Sequence, residues 1–112
     1  MQDKDLYAGL IRLHILHHAA QEPIFGLGII EELGRHGYRL SPGTLYPLLH
    51  GLEEKGQLRS FVQSHAGRRR RMYRATARGR HSLAAAKGKV RELFSELFEE
   101  LRTAGRRKRS RG

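Results

Sequence analysis

The sequence predicts a mainly α-helical fold with a small β-hairpin, a winged helix-turn-helix followed by a long C-terminal helix. Three observations predict it. Apolar residues recur at spacings of three and four in three successive segments between Leu6 and Leu52. Two short β-rich runs follow, around Phe61 and Tyr73, with Ser64, His65, Ala66 and Gly67 between them. A last apolar stripe then runs from Leu83 to Leu101.

Leu6, Leu10, Leu13, Ile15 and Leu16, with Ile11 beside them, mark the first helix. Asp3 or Asp5 caps and charges its start. It ends near Ala20, ahead of Pro23, because a proline disfavours helical backbone in the residue before it. Ile24 and Phe25 read as a short extended piece. Ile29, Ile30 and Leu33 form the face of the second helix, Glu31 and Arg35 pair at i,i+4, and Gly37 stops it. Gly26 and Gly28 leave its start open, since glycine costs ~1 kcal/mol relative to alanine inside a helix.

Ser41 reads as the N-cap of a third helix, with Pro42 at the first position, where its missing N–H is no loss. Leu45, Leu48, Leu49 and Leu52 face inward. Pro47 removes one backbone bond and is expected to bend the axis or delay its regular part. Gly56 ends the helix. Leu58, Phe61 and Val62, then Met72 and Tyr73, give the two strands, and the connection between them is expected to hold Arg68, Arg69, Arg70 and Arg71.

Thr76 caps a final helix expected from Ala77 to Ala104, about 42 Å long at 1.5 Å per residue. Its stripe of Leu83, Ala86, Val90, Leu93, Leu97 and Leu101, broadened by Phe94 and Phe98, approximates a heptad seam. A helix this long outruns the small core. The same helix of a second subunit is its simplest cover, with Gly88 as a weak point. The expected division is a winged-helix domain over 1–76, a dimerisation helix over 77–104 and a basic, disordered tail over 105–112.

The 112 residues carry 22 Lys+Arg against 11 Asp+Glu, a net charge of +11 and a sequence pI near 11.1. Such a chain collects at polyanions, nucleic acid first among them. Arg106, Arg107, Lys108, Arg109 and Arg111 supply five of those charges, and a surplus remains without them. Cysteine is absent, which excludes disulfides and thiolate metal sites. Every apolar run is far shorter than a membrane span. Residues Met1 to Leu10, with Asp3 and Asp5, lack a signal-peptide pattern. The expected location is the cytoplasm, with no membrane partner.

A presented helix beside an arginine hairpin grips DNA twice, once in a groove and once on phosphates. Thr44, Tyr46 and His50 are expected at the DNA, and Ser41 divides between cap and contact. A run of four like charges repels itself without an anion, so Arg68 to Arg71 are expected on phosphates or in the minor groove. Alternation keeps Arg69 and Arg71 from pointing where Arg70 does. Arg59 and Arg74 are supporting charges. The third helix offers no Asn or Gln for adenine, so base reading rests on few contacts plus DNA shape.

Phe94, Leu97, Phe98 and Leu101 read as dimer core. Tyr7, Leu10 and His14 are expected to wall any cavity against Phe94 and Phe98. His14 and His18 share a helix face, yet no matching Glu or Cys spacing accompanies them, so no metal ligand and no cofactor is assigned. The adjacent acids Glu31 Glu32, Glu53 Glu54 and Glu99 Glu100 point to different sides. With no phosphate-binding glycine loop and no nucleophile beside a base, the reading is not an enzyme.

Leu40 Ser41 Pro42 Gly43 Thr44 Leu45 Tyr46 Pro47 Leu48 Leu49, continuing through Leu52 Glu53 and Gly56, resembles the PadR-type transcriptional regulators. Gly67 Arg68, then Arg70 Arg71, Tyr73, Thr76 and Gly79 match where the wing returns into the last helix, and 23–33 match more weakly. With one helix after the wing, the chain is similar to the short branch of that family. The resemblance implies a homodimeric repressor on an inverted-repeat operator, released by a small-molecule effector. It places the third helix in the major groove and the wing on the adjacent backbone or minor groove. The expected DNA-binding set is Ser41, Thr44, Tyr46, His50, Arg68, Arg69, Arg70, Arg71 and Tyr73. The expected dimerisation set is Leu83, Val90, Leu93, Phe94, Leu97, Phe98 and Leu101. The sequence departs from the family at Phe25, Gly26, Leu27 and Gly28, where a His, a Tyr and an acid are usual, and it has no tryptophan. Two rival readings are a nonspecific basic architectural DNA binder and a protein-interaction module built on the last helix.

Overall fold

The computed structural model describes residues 3–99. The expectations for Leu101, for the last helix beyond that point and for the tail over 105–112 lie outside the described residues. The order is α1 (Lys4–Gln21), β1 (Ile24–Phe25), α2 (Gly26–Arg35), α3 (Pro42–Glu54), β2 (Leu58–His65), β3 (Arg68–Ala75) and α4 (Ala77–Leu97). This is the winged helix-turn-helix with a long final helix.

Each helix start has a physical cause. Asp3 Oδ1 accepts from Leu6 N at 3.1 Å and caps α1. Ser41 Oγ accepts from Thr44 N at 3.3 Å and caps α3, with Pro42 behind it. Thr76 Oγ1 accepts from Gly79 N at 3.0 Å and caps α4. The N-cap of α2, Phe25, makes no side-chain bond. Pro47 does not delay α3, which is helical from Pro42. The carbonyl left without its i+4 donor belongs to Gly43, and both residues lie on the exposed face, where that oxygen is open to solvent.

The sheet has the order β1-β3-β2, all antiparallel. β2 and β3 pair from Leu58↔Ala75 to His65↔Arg68. A two-residue turn closes them, with Ala66 at φ 51 and Gly67 at φ 77. This corrects the expected connection. Two positive-φ residues match the right-handed twist of a hairpin, so pairing continues to the turn and Arg68 to Arg71 lie within β3. Ile24 and Phe25 supply a third strand by pairing with Tyr73 and Met72.

The core is one cluster: Ile11, Ile15, Leu16 and Ala19 of α1, Ile24 of β1, Ile29 and Leu33 of α2, Leu45, Leu49 and Leu52 of α3, with Leu58, Tyr73 and Ala75 of the wing. Leu48 packs on it half-buried. From α4 only Leu83 joins, also half-buried. Where α1 meets α2, His14 and His18 are half-buried, and burial holds both imidazoles below their ordinary range. His36, His18 and His17 add to the effect at His14 against the pull of Glu32.

The base of the wing is stitched to both flanking helices. Thr76 N donates to Gln57 O at 3.1 Å and Thr76 Oγ1 donates to Gly56 O at 2.5 Å. Gln57 Nε2 donates to Ser82 Oγ at 3.0 Å. A Cβ at Gly79 would collide with the backbone carbonyl of Gln57, so only glycine fits this approach. Gly79→Ala is expected to destabilise the protein by about 1–3 kcal/mol. The urea midpoint should fall with an unchanged slope. Gly34→Ala, whose Cβ meets open space in α2, should hold or raise the midpoint. An unshifted midpoint for Gly79→Ala would contradict the packing.

Candidate nucleic-acid interface

On α3 the exposed residues Gly43, Tyr46, Pro47, His50 and Glu54 fall at i, i+3, i+4, i+7 and i+11, opposite buried Leu45, Leu49 and Leu52. Tyr46 and His50 are therefore the centre of the presented face, their rings 6.2 Å apart. Tyr46 is seated by close approach. A Cβ on Gly26 would strike its hydroxyl and ring, so the glycine that obscured the start of α2 in the sequence makes room for Tyr46.

Ser41 and Thr44 form the leading edge instead. Ser41 is exposed, but its hydroxyl already caps α3 and donates to Thr44 Oγ1 at 3.3 Å. Thr44 is half-buried in a cleft shared with Asp5, Arg12, Arg39 and Leu48. Arg12 and Arg39 were not singled out from the sequence. Both lie far along the sequence from the basic runs, and only the fold brings them to the cleft beside Thr44.

The four arginines of the wing are not equivalent. Alternation puts Arg69 and Arg71 on the face of Tyr73 and Ala75, and Arg68 and Arg70 on the other. Arg71 Nη1 donates to Ser60 Oγ at 2.9 Å, and Ser60 Oγ donates to Glu53 Oε2 of α3 at 2.6 Å. That relay fixes Arg71 on the α3 side of the sheet. Arg70 is half-buried, its guanidinium carbon 4.3 Å from the centre of the Phe25 ring, a cation–π contact. The guanidinium groups of Arg68 and Arg69 are exposed and make no hydrogen bond or ion pair among the described residues. Arg59 and Arg74 stand opposite one another in the ladder, both exposed.

Tyr73, expected among the DNA contacts, requires correction. It is 0% exposed, and its hydroxyl finds no partner among the described residues. Its position opposite Ile24 and Ser60 turns the ring into the core. Burial pushes the phenol up, with Glu53 and Tyr46 adding to the rise and Arg71 opposing it. Tyr73 therefore anchors the wing and reaches no ligand.

On α4, Val90, Leu93, Phe94 and Leu97, and at its C-cap Phe98, are exposed, from 44% at Val90 to 67% at Leu97. An open groove of about 530 Å³ runs between α1 and α4, walled by Leu10, Leu13 and His14 against Leu83, Val90 and Phe94, with Lys87 and Arg91 at its side. Two of the expected wall residues lie elsewhere. Tyr7 meets Tyr38 edge-on with ring centres 6.1 Å apart, and Phe98 lies against Phe94 at 4.6 Å.

Residues 15–85 match the transcriptional regulator PadR-like family. A transcriptional regulator of Mycobacterium tuberculosis is 47% identical over 95 residues, 85% of this chain and 89% of that one. A PadR family transcriptional regulator from Eggerthella lenta has a solved structure that superposes with a TM-score of 0.74 at 28% identity, over 87% of this chain and 86% of that one. The fold is also that of a PadR-like transcriptional regulator from Bacillus cereus, with a TM-score of 0.80 at 23% identity, over 87% and 96% of the two chains.

Tyr73→Phe removes a buried hydroxyl without a partner. Its stability should match or exceed that of the parent, because an unpaired buried polar group costs about 1–3 kcal/mol. DNA affinity should be unchanged in a binding titration. A severalfold loss of affinity in a stably folded variant would return Tyr73 to the interface.

Proposed function

The chain belongs to the PadR-like family of transcriptional regulators, which are not enzymes, and from that premise we propose that it is a sequence-specific repressor binding an inverted-repeat operator as a homodimer. The observation that carries this reading is a shared direction. The Tyr46–His50 face of α3 and the Arg69 side of the wing lie on one side of the sheet, joined through Arg71, Ser60 and Glu53. A helix there enters the major groove while the wing meets the flanking phosphates. Arg12 and Arg39, beside Thr44, extend the basic edge toward the phosphates at the start of α3.

The second copy follows from α4. Its exposed apolar stripe is covered most simply by the same stripe of another chain, in a two-fold pairing. Two reading heads then face half-sites about 34 Å apart, or a multiple of that spacing. The groove between α1 and α4 falls within the ~300–1,000 Å³ range of small-molecule sites. An effector wedged there changes the distance between the wings and releases the operator. The site of action is the cytoplasm, where the DNA is. Nonspecific architectural binding is the alternative, favoured by the net charge of +11.

Two variants test the assignment against operator DNA and random DNA over a range of salt. Arg69→Ala should weaken both alike and reduce the salt slope by about one. His50→Ala should cost about 1–3 kcal/mol on operator DNA and little on random DNA. Equal losses on both DNAs for His50→Ala would favour the architectural reading. Unchanged operator binding by both variants would remove α3 and the wing from the interface.

A further inference from the structure

We propose that His14, His18 and His36 form a binding site for one divalent transition-metal ion of the zinc type. His14 and His18 stand one turn apart on α1, and the sequence offered them no third ligand. The fold supplies it from α2, whose C-cap is His36. One ring nitrogen from each residue lies within 4.8 Å of those of the other two. Nitrogens about 2.1 Å from a tetrahedral zinc are about 3.4 Å apart, so small rotations of the side chains close the site.

The surroundings suit a ligand set. The ring centres of His14 and His36 are 5.0 Å apart, and those of His14 and His18 are 6.3 Å apart. His18 Nε2 is buried and has no hydrogen-bond partner among the described residues, the state of a nitrogen whose lone pair or proton is unclaimed. Glu32 Oε2 lies 3.1 Å from His36 Nε2 and steadies that ring, as carboxylates do behind metal-binding imidazoles. An all-imidazole set without thiols selects zinc, nickel, cobalt or copper over magnesium and calcium. Three protein ligands leave a fourth position for water.

The ion would clasp the end of α2 to α1, next to the 37–41 connection that leads into α3. His14 also walls the α1–α4 groove. Occupancy is thereby tied to the placement of α3. That consequence rests on the DNA-binding reading above, whereas the site itself does not.

Calorimetric titration of the untagged, chelator-treated full chain with zinc sulfate tests the site without DNA. One zinc per chain is expected. His36→Gln, at the exposed end of α2, and His14→Gln should each weaken binding at least tenfold. Glu32→Gln should weaken it about tenfold. His65→Gln, at the hairpin tip, should change nothing. Circular dichroism verifies that each variant is folded, and cobalt(II) should show the intense visible bands of a tetrahedral site in the parent chain and lose them in His36→Gln. Failure of the parent chain to take up zinc, binding that survives both His14→Gln and His36→Gln, or an equal loss in His65→Gln would overturn the proposal.

Discussion

The junction at Thr76 holds this molecule in register. One hydroxyl caps α4 by accepting from Gly79 N and donates to the carbonyl of Gly56, just past the end of α3. The backbone of Thr76 bonds Gln57 at the foot of β2. Arg78 Nη1 adds a bond at 3.3 Å to the Lys55 carbonyl, a cation at the C-terminal end of a helix. Each bond contributes only about 1 kcal/mol net. Their joint effect is geometric, because the end of α3, both long strands and the start of α4 meet within a few residues. The missing side chain at Gly79 is what lets them meet so closely.

Two consequences spread from that junction. In one direction, the wing stands at a set angle to α3, and the Arg71–Ser60–Glu53 relay holds it there. Two of the four wing arginines are thereby engaged, Arg71 by this relay and Arg70 by the Phe25 ring. Their charge still adds to the local field, while the side chains most free to meet a phosphate are Arg68 and Arg69. In the other direction, α4 leaves the core after Leu83 with its apolar stripe uncovered. Exposed phenylalanine and leucine over several turns have a hydrophobic cost in a lone chain, one that the proposed two-fold partner would remove. In the proposed homodimer, the same junction would pass the geometry of the pairing to the two reading heads.

Much of this was legible in the sequence, for reasons that are local. Caps at Asp3, Ser41 and Thr76 act over three residues, and the helical stripes repeat within one element. What was not legible depended on left-handed backbone or on remote partners. Ala66 is a poor signal for a positive-φ turn, so the sequence points to a loop for the wing arginines, which belong to a strand. Tyr73 sits between half-buried Met72 and exposed Arg74, an alternation blurred by the two-residue strand β1 on its far side. Gly26 weakened the expectation for α2 because the ring that needs its space, Tyr46, lies twenty positions away. His36 had no visible tie to His14 and His18 until α2 folded back against α1.

The most direct measurement is a hydroxyl-radical footprint of the purified protein on DNA from upstream of its own gene, in excess random competitor. A two-fold pair of reading heads predicts two protected blocks related by a dyad, spaced by about one helical turn or a multiple of it. Protection that persists at a single asymmetric block would contradict the pairing through α4. Uniform protection that the competitor abolishes would contradict sequence-specific reading by α3.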